Sequence, residues 1–484
     1  MCIMISMKRW VVIIIGLLLA ANCIAATHYV VPPGTAGVTP TDPFTNWVTA
    51  GTSIVEVVNA AVTNTGGRLV WVTNGTYYPT ASIFVANASS FRLQSVNGRD
   101  KTILNGSQTT NRCTYFDYQS SYCVFDGFTV TNYYYSPDMG RGTVYGPRIT
   151  VINCLFEGNT NLTGYGGAIM DGAGNSTITN CIFRNNYSIY GGAVYIAGGY
   201  PGQCTRITDC RFEGNRAGTY YGGGVMFASS NIIVSNCVFI SNSVSSRGGA
   251  ILIGSLSTNN LIVNCTFTGN IVDCKGAEKR GYGGGIVNYG ETTIRNCSII
   301  GNIATNIGGG IYAETPAGTN TMIINCLIAR NQSSTNIGGG IWMTNGIVES
   351  CTIVSNYAKI AGGGVYIDGS GSGTNNIIYF NTTTNTDTIA ANFTNTAGNA
   401  GLIHSCVIPA VAGTGNITNN PVLKNLAGGD YRLRMTSPCV NTGTNQSWMM
   451  NAVDLQGNAR ILKIIVDMGA YETRLWQGTI FSVP

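Results

Sequence analysis

Residues 293–314 read TIRNCSIIGNIATNIGGGIYAE and hold two short β-type runs, 293–300 and 310–313, separated by turn residues. The same wording recurs on both sides of them. Asn-Cys opens it at Asn153-Cys154, Asn180-Cys181, Asn236-Cys237, Asn264-Cys265, Asn296-Cys297 and Asn325-Cys326, while Asp209-Cys210 and Ser350-Cys351 keep only the cysteine. Five residues after each cysteine stands an asparagine: Asn159, Asn186, Asn215, Asn242, Asn270, Asn302, Asn331 and Asn356. Gly-Gly-Ala or Gly-Gly-Gly then leads into Ile169, Val194, Val225, Ile251, Ile286, Ile311, Ile341 and Val365. Successive cysteines are 27, 29, 27, 28, 32, 29 and 25 residues apart, a period that marks a solenoid.

The landmarks sit in Ile, Val, Phe and Thr runs with period-two alternation, and no 3.6-residue apolar stripe crosses a repeat. Asn and Gly fill the gaps, as bends and left-handed turns require. A single repeat cannot bury its own apolar residues, whereas coils stacked about 4.8 Å apart bury them in one continuous core. Each fully buried Ile or Phe contributes roughly 1.5–3 kcal/mol, so the aliphatic column alone is a large stabilising term. The fold expected is all-β: a single-stranded right-handed parallel β-helix with a short N-terminal capping helix and a β-rich C-terminal cap. Its handedness follows by analogy from the right-handed crossover rule.

Charged residues make up only 10% of the 484, and the formal charge of +5 is spread without a Lys/Arg run, which argues against a nucleic-acid partner. The first 25 residues read as an export signal: Lys8 and Arg9, an apolar stretch over 10–21, then Cys23-Ile24-Ala25 or Ile24-Ala25-Ala26 as the cleavage site, with Met1 or Met7 as the start. Asn22 is a poor fit for lipidation at Cys23. The expected product is a secreted or cell-surface monomer with no membrane span after signal removal. Cys154 to Cys351 form one column of small buried groups, which Cys406 is expected to continue. Stacked side chains run parallel rather than towards each other, so Cys113 with Cys123, or Cys204 with a neighbour, are the better disulfide candidates. No metal or cofactor is expected, because CxxC is missing and His28 and His404 are the only histidines.

The organisation expected is a signal over 1–25, an N-terminal cap and irregular leading coils over 26–142, regular repeats over 143–418, a C-terminal cap over 419–473 and a tail over 474–484. Ser53-Ile54-Val55-Glu56 has capping-box spacing and begins a short helix that would cover the open edge of the first coil. The following Asn74-Gly75-Thr76-Tyr77 resembles the opening of pectin-lyase-like β-helix proteins. Phe156-Glu157-Gly158-Asn159 and its four Phe-containing equivalents, with Gly166-Gly167-Ala168-Ile169 and its kin, resemble the repeats of the polymorphic outer-membrane proteins. That resemblance implies a surface adhesin, although no closing membrane barrel is seen. Residues 420–472 resemble the choice-of-anchor Q domain of bacterial exported β-helix proteins, through 429–433 (GDYRL), 437–443 (SPCVNTG), 454–460 (DLQGNAR) and 466–472 (VDMGAYE). This segment is expected to close the far end of the solenoid. Insertions are expected at 132–142 and 273–282.

Of the polygalacturonase pattern only Asn385-Thr386-Asp387 is present. Glu157, Arg184 and Glu213 share one column on three successive coils, with the two carboxylates about 10 Å apart; this reads as an exposed charge ladder. The asparagine column reads as an interior ladder, each amide bonded to the next coil. A functional signal is aromatic. The residues after the inward Ile/Val, outward by alternation, are Met170, Tyr195, Met226, Leu252, Val287, Tyr312, Trp342 and Tyr366. Tyr195, Tyr312, Trp342 and Tyr366 are the candidate ligand-binding residues, for a polysaccharide or cell-surface glycan. The other reading of this row is an aromatic stack under covering loops, and that supporting role is preferred for Tyr165, Tyr190, Tyr221 and Tyr282 before the glycines. No catalytic residue is assigned. The function expected is non-enzymatic glycan or surface-partner binding; the alternative is a polysaccharide lyase or glycoside hydrolase on the same scaffold.

Overall fold

The computed structural model describes residues 26–474 other than 64–67, 136–139, 199–202, 256, 275–279, 317, 385–390, 397–400 and 463. The signal segment, the tail beyond Arg474, the Asn385-Thr386-Asp387 triplet and the centres of both expected insertions lie outside the described residues.

The coil around Cys297 shows how the repeat is built. Its strands are Thr292–Arg295, Ser298–Ile300, Ile303–Ala304 and Ile311–Ala313. The expected run 293–300 is thus broken in two, because Asn296 takes a left-handed conformation at φ 54° and turns the chain. Asparagine tolerates that conformation better than most residues, which is why Asn precedes Cys so often. Stacking each strand on its equivalent gives, among the described residues, four parallel sheets of 14, 13, 10 and 12 strands, called here the first to fourth sheet in the order the chain visits them. The protein is an all-β parallel solenoid, as expected.

Alternation along each strand sends every second side chain inward. Ile169, Val194, Val225, Ile251, Ile286, Ile311, Ile341 and Val365 pair in one unbroken register on the fourth sheet and are all buried. Phe156, Phe183, Phe212, Phe239 and Phe267 form a parallel-stacked column with centroids 4.7–5.3 Å apart. The double glycine has two separate causes. The first, as at Gly308 (φ 71°), occupies the left-handed region. The second, as at Gly309, faces the carbonyl of Gly339 on the next coil so closely that a Cβ would overlap it.

Asparagines 159 to 356 form the expected interior ladder. Asn159 Oδ1 accepts from Tyr133 N–H, and from Asn186 onward each side-chain oxygen accepts from the backbone N–H and amide of the previous coil's asparagine, at 2.9–3.2 Å; Asn381 and Asn392 extend the series. A second ladder, to which no role was assigned from sequence, runs along the outer corner. There the left-handed asparagines bond from coil to coil, as Asn296 Nδ2 to Asn264 Oδ1 at 3.3 Å and Asn325 Nδ2 to Asn296 Oδ1 at 2.8 Å.

The cysteine column holds from Cys154 to Cys351. Each thiol donates to the carbonyl two residues earlier at 3.1–3.2 Å, as Cys297 does to Arg295. Cys297 N–H in turn donates to Cys326 Sγ at 3.5 Å. The column does not continue into Cys406. Asn376 and then Ser405 take the place, since Cys351 N–H donates to Asn376 Oδ1 and Asn376 N–H to Ser405 Oγ. Cys113, Cys123 and Cys204 are free thiols. Cys113 packs near Tyr133 and Cys154, whereas Cys123 bonds the carbonyl of Ala88, so the pairing expected of the first two does not occur.

The helix Ile54–Thr63 lays Ile54, Val57, Val58 and Ala61 over the first coil, and Ser53 Oγ accepts from Glu56 N–H at 3.4 Å. At the far end Val411, from the loop after the last coil, packs on the core. The C-terminal segment therefore does not close that end. It lies along the outer flank of the second sheet, where Leu423, Tyr431, Leu433, Cys439 and Met468 pack on Leu327, Ala329, Val354, Ile377 and Cys406. Ala470 N–H donates to Thr352 Oγ1 at 3.0 Å, and Trp448 Nε1 to Glu349 Oε1 at 2.7 Å. Regular structure in this segment is one antiparallel ribbon, Leu423–Asn425 with Asp430–Leu433, and a short 3-10 turn at Ser447–Met449; it is less β-rich than expected. Leu327, Ala329, Val354 and Ile377 provide the apolar outward surface it needs, whereas Glu157, Arg184, Arg211 and Glu213 stand at the outward positions of three earlier coils.

Candidate functional site

The outward column of the fourth sheet is longer than the repeats suggested. Phe84, Tyr115 and Tyr145 precede Met170, Tyr195, Met226, Leu252, Val287, Tyr312, Trp342 and Tyr366 in the same register. The candidate residues thus belong to one row. Tyr195 and Tyr366 are half-buried, but Tyr312 and Trp342 are only 4% and 6% exposed.

Their cover comes from the residues before the glycines. Tyr282 stacks on Tyr312 at 4.6 Å, Tyr312 on Trp342 at 4.5 Å, and Tyr289 meets Tyr312 edge-on at 5.9 Å. Ile307, Ile337 and Tyr221 join the same apolar cluster. Arg247 stands in the pre-glycine row between Tyr221 and Tyr282, with its guanidinium 5.4–5.8 Å from the rings of Tyr221, Tyr282 and Tyr289, a cation–π arrangement. Burial pushes the Tyr195 hydroxyl up to about 12, and it raises Tyr312 as well, whose hydroxyl donates to Glu314 Oε2 at 2.7 Å. These phenols stay protonated at neutral pH.

Of the two aromatic rows beside the double glycines, the pre-glycine one lies nearer the surface. Tyr165 and Tyr190 stack at 4.9 Å, and Tyr190 and Tyr220 at 5.3 Å with ring planes 9° apart. Tyr165 is 36% and Tyr220 37% exposed. Tyr220 owes its place to a register irregularity: Ser188 pairs with Ala217 and Tyr190 with Tyr221, so one residue faces three and the extra chain is pushed out. The sequence carried a sign of this, since Asn186 stands five residues before its Gly-Gly and Asn215 seven. Because the rings stack along the solenoid axis, their faces cover one another. Ring edges and hydroxyls reach the solvent, one set per coil. Tyr195 packs beneath, 4.6 Å from Tyr165.

The charged column behaves as read. Arg184 Nη1 lies 3.1 Å from Glu157 Oε1 and its Nε 3.8 Å from Glu213, which also takes Arg211 at 3.1 Å. These side chains are too exposed to contribute more than about 1 kcal/mol, and each carboxylate is held by a guanidinium. Among the described residues no helix is long and apolar enough to cross a membrane.

Residues 49–277 match the family described as Right handed beta helix region, which agrees with the winding expected from sequence. Metabotropic glutamate receptor-like protein R of Dictyostelium discoideum is 25% identical over 276 residues, 54% of this chain and 16% of that protein. The chain therefore spans about a sixth of the length of that relative. Among solved structures, the A-module of the Azotobacter vinelandii mannuronan C-5 epimerase AlgE6 is 13% identical, covering 76% of this chain and 94% of that one at a TM-score of 0.43. The PL6 family alginate lyase AlyGC is 13% identical, with 71% and 52% covered and a TM-score of 0.36. A rhamnogalacturonan lyase is also 13% identical, with 87% and 96% covered and a TM-score of 0.34.

Proposed function

We propose that this chain is an exported, non-enzymatic binding protein that holds a linear polysaccharide or cell-surface glycan along the corner between its third and fourth sheets. The observation that carries this reading is the stack of Tyr165, Tyr190 and Tyr220, which sets phenol hydroxyls and ring edges at the spacing of the coils. Such a row offers repeated donors and acceptors to a polymer of hydroxylated rings laid parallel to the axis. In this reading Tyr195 and Tyr366 add contacts at the margins. Tyr312 and Trp342 are the packed bed that keeps the row straight. Export through residues 1–25 and surface retention through the choice-of-anchor Q-like segment over 419–473 are part of the same proposal.

The test is affinity electrophoresis of the purified chain against neutral and uronic-acid polymers. Tyr165→Phe, Tyr190→Phe and Tyr220→Phe keep the stack and delete one hydroxyl each, for about 1 kcal/mol or about fivefold in affinity apiece. Unchanged retention in the triple variant would refute the reading. Release of new reducing or unsaturated ends from any polymer would favour the lyase or hydrolase instead.

A further inference from the structure

Cys406 and Cys439 are free thiols in this structure, both fully buried, and reach the same apolar interface from opposite sides. Cys406 pairs with Ile377 on the second sheet, and both belong to the outer cluster under the C-terminal segment. The neighbouring Ile378 and Val407 point instead into the solenoid core. Cys406 therefore faces outward. Cys439 faces it from the docked segment, held by Ser437 Oγ on its N–H at 3.1 Å and by Met468 N–H on its carbonyl at 3.0 Å. Cys406 Sγ donates to the carbonyl of Asn419 at 3.2 Å, and the two thiols lie close together in the packed cluster that also holds Tyr379.

This differs from the cysteine column in the direction of the side chains. Column neighbours project in parallel from stacked positions, and each thiol is already bonded to a carbonyl of its own coil. A disulfide needs the two Cβ atoms to approach each other, as partners across an interface do. The two residues are 33 apart in sequence, so a bond between them would close a long loop and lose little to chain geometry.

We propose that Cys406 and Cys439 form a disulfide that fastens the C-terminal segment to the flank of the solenoid. The oxidant is a disulfide compound, such as oxidised glutathione or a thiol–disulfide oxidoreductase. One thiolate attacks it to give a mixed disulfide and release one thiol. The second cysteine then attacks the protein sulfur, releasing the other thiol, so the pair loses two electrons and two protons and the oxidant gains them. This step is independent of whether the chain binds a glycan.

The full chain, produced in an oxidising compartment, is denatured with and without reductant, alkylated and mapped by mass. We expect two fewer alkyl groups on the non-reduced chain and a linked peptide pair carrying Cys406 and Cys439. Cys439→Ser should abolish the pair, and both this variant and reduction should speed proteolytic release of the C-terminal segment severalfold. Equal alkylation of the two samples, or a linked pair drawn from Cys154 to Cys351, would overturn the assignment. Since the count is made on the unsubstituted chain, misfolding of a variant would not rescue it.

Discussion

Replacing Asn302 by alanine removes four hydrogen bonds from the middle of the core. Its Oδ1 accepts from Asn270 N–H at 3.0 Å and Asn270 Nδ2 at 2.9 Å, and its Nδ2 donates to Phe267 O at 3.0 Å and Asn331 Oδ1 at 2.9 Å. Some neighbours keep a partner. Asn270 Nδ2 still reaches Phe239 O, and Asn331 Oδ1 still accepts from the backbone of residue 302. The Asn270 N–H keeps none of the bonds described for it. At about 1 kcal/mol for each lost bond and about 1–3 kcal/mol for a stranded buried N–H, the substitution should cost about 5 kcal/mol. Asn302→Asp should cost at least as much, because it sets a carboxylate oxygen against the carbonyls of Phe267 and Asn331. A solenoid can open coil by coil, so the assay is amide hydrogen exchange across the coils of residues 270, 302 and 331, alongside urea unfolding. Loss below about 1 kcal/mol with protection unchanged at Asn270 would refute the ladder as a stabilising element.

Three further outcomes follow from the same geometry. Gly309→Ala forces a Cβ against the Gly339 carbonyl and the backbone of Gln332, and should cost about 3 kcal/mol or more in urea unfolding. Asn296→Ala, at φ 54°, should cost about 1–2 kcal/mol, and Asn296→Gly much less; equal losses would mean that the outer side-chain ladder, not the left-handed backbone, sets the price. Burial pushes the Glu472 carboxyl up to about 8 despite Arg460 at 3.2 Å. The folded chain then keeps a proton that the unfolded chain gives up near its ordinary pKa of about 4.3. That stabilisation is present below about pH 4 and is lost as pH rises to about 8, at up to about 1.4 kcal/mol per unit. Thermal melting of the C-terminal segment should fall across that range and flatten in Glu472→Gln; a melting point that rises with pH would contradict the assignment.

The repeat wording carried the solenoid, the inward aliphatic column, the asparagine ladder and the cysteine column, because each depends on spacing between equivalent positions and stacking makes those positions neighbours. The helix over the first coil was equally legible from Ser53 and Glu56. Contacts between positions that are not equivalent were beyond its reach. Sequence alternation placed Tyr312 and Trp342 on the outside, and so they are, but Tyr282 and Tyr289 fold over them. Tyr220 came to the surface through an irregular pairing that alternation alone does not follow. Cys406 followed the pattern of a cysteine column yet stands one residue past it, facing Cys439 from a segment that was expected to cover the solenoid's end. Periodicity fixes what lies one turn above or below a residue. What lies against it from the side depends on corner lengths and on where a non-repeating chain finds apolar surface, and these are settled only when the whole chain has packed.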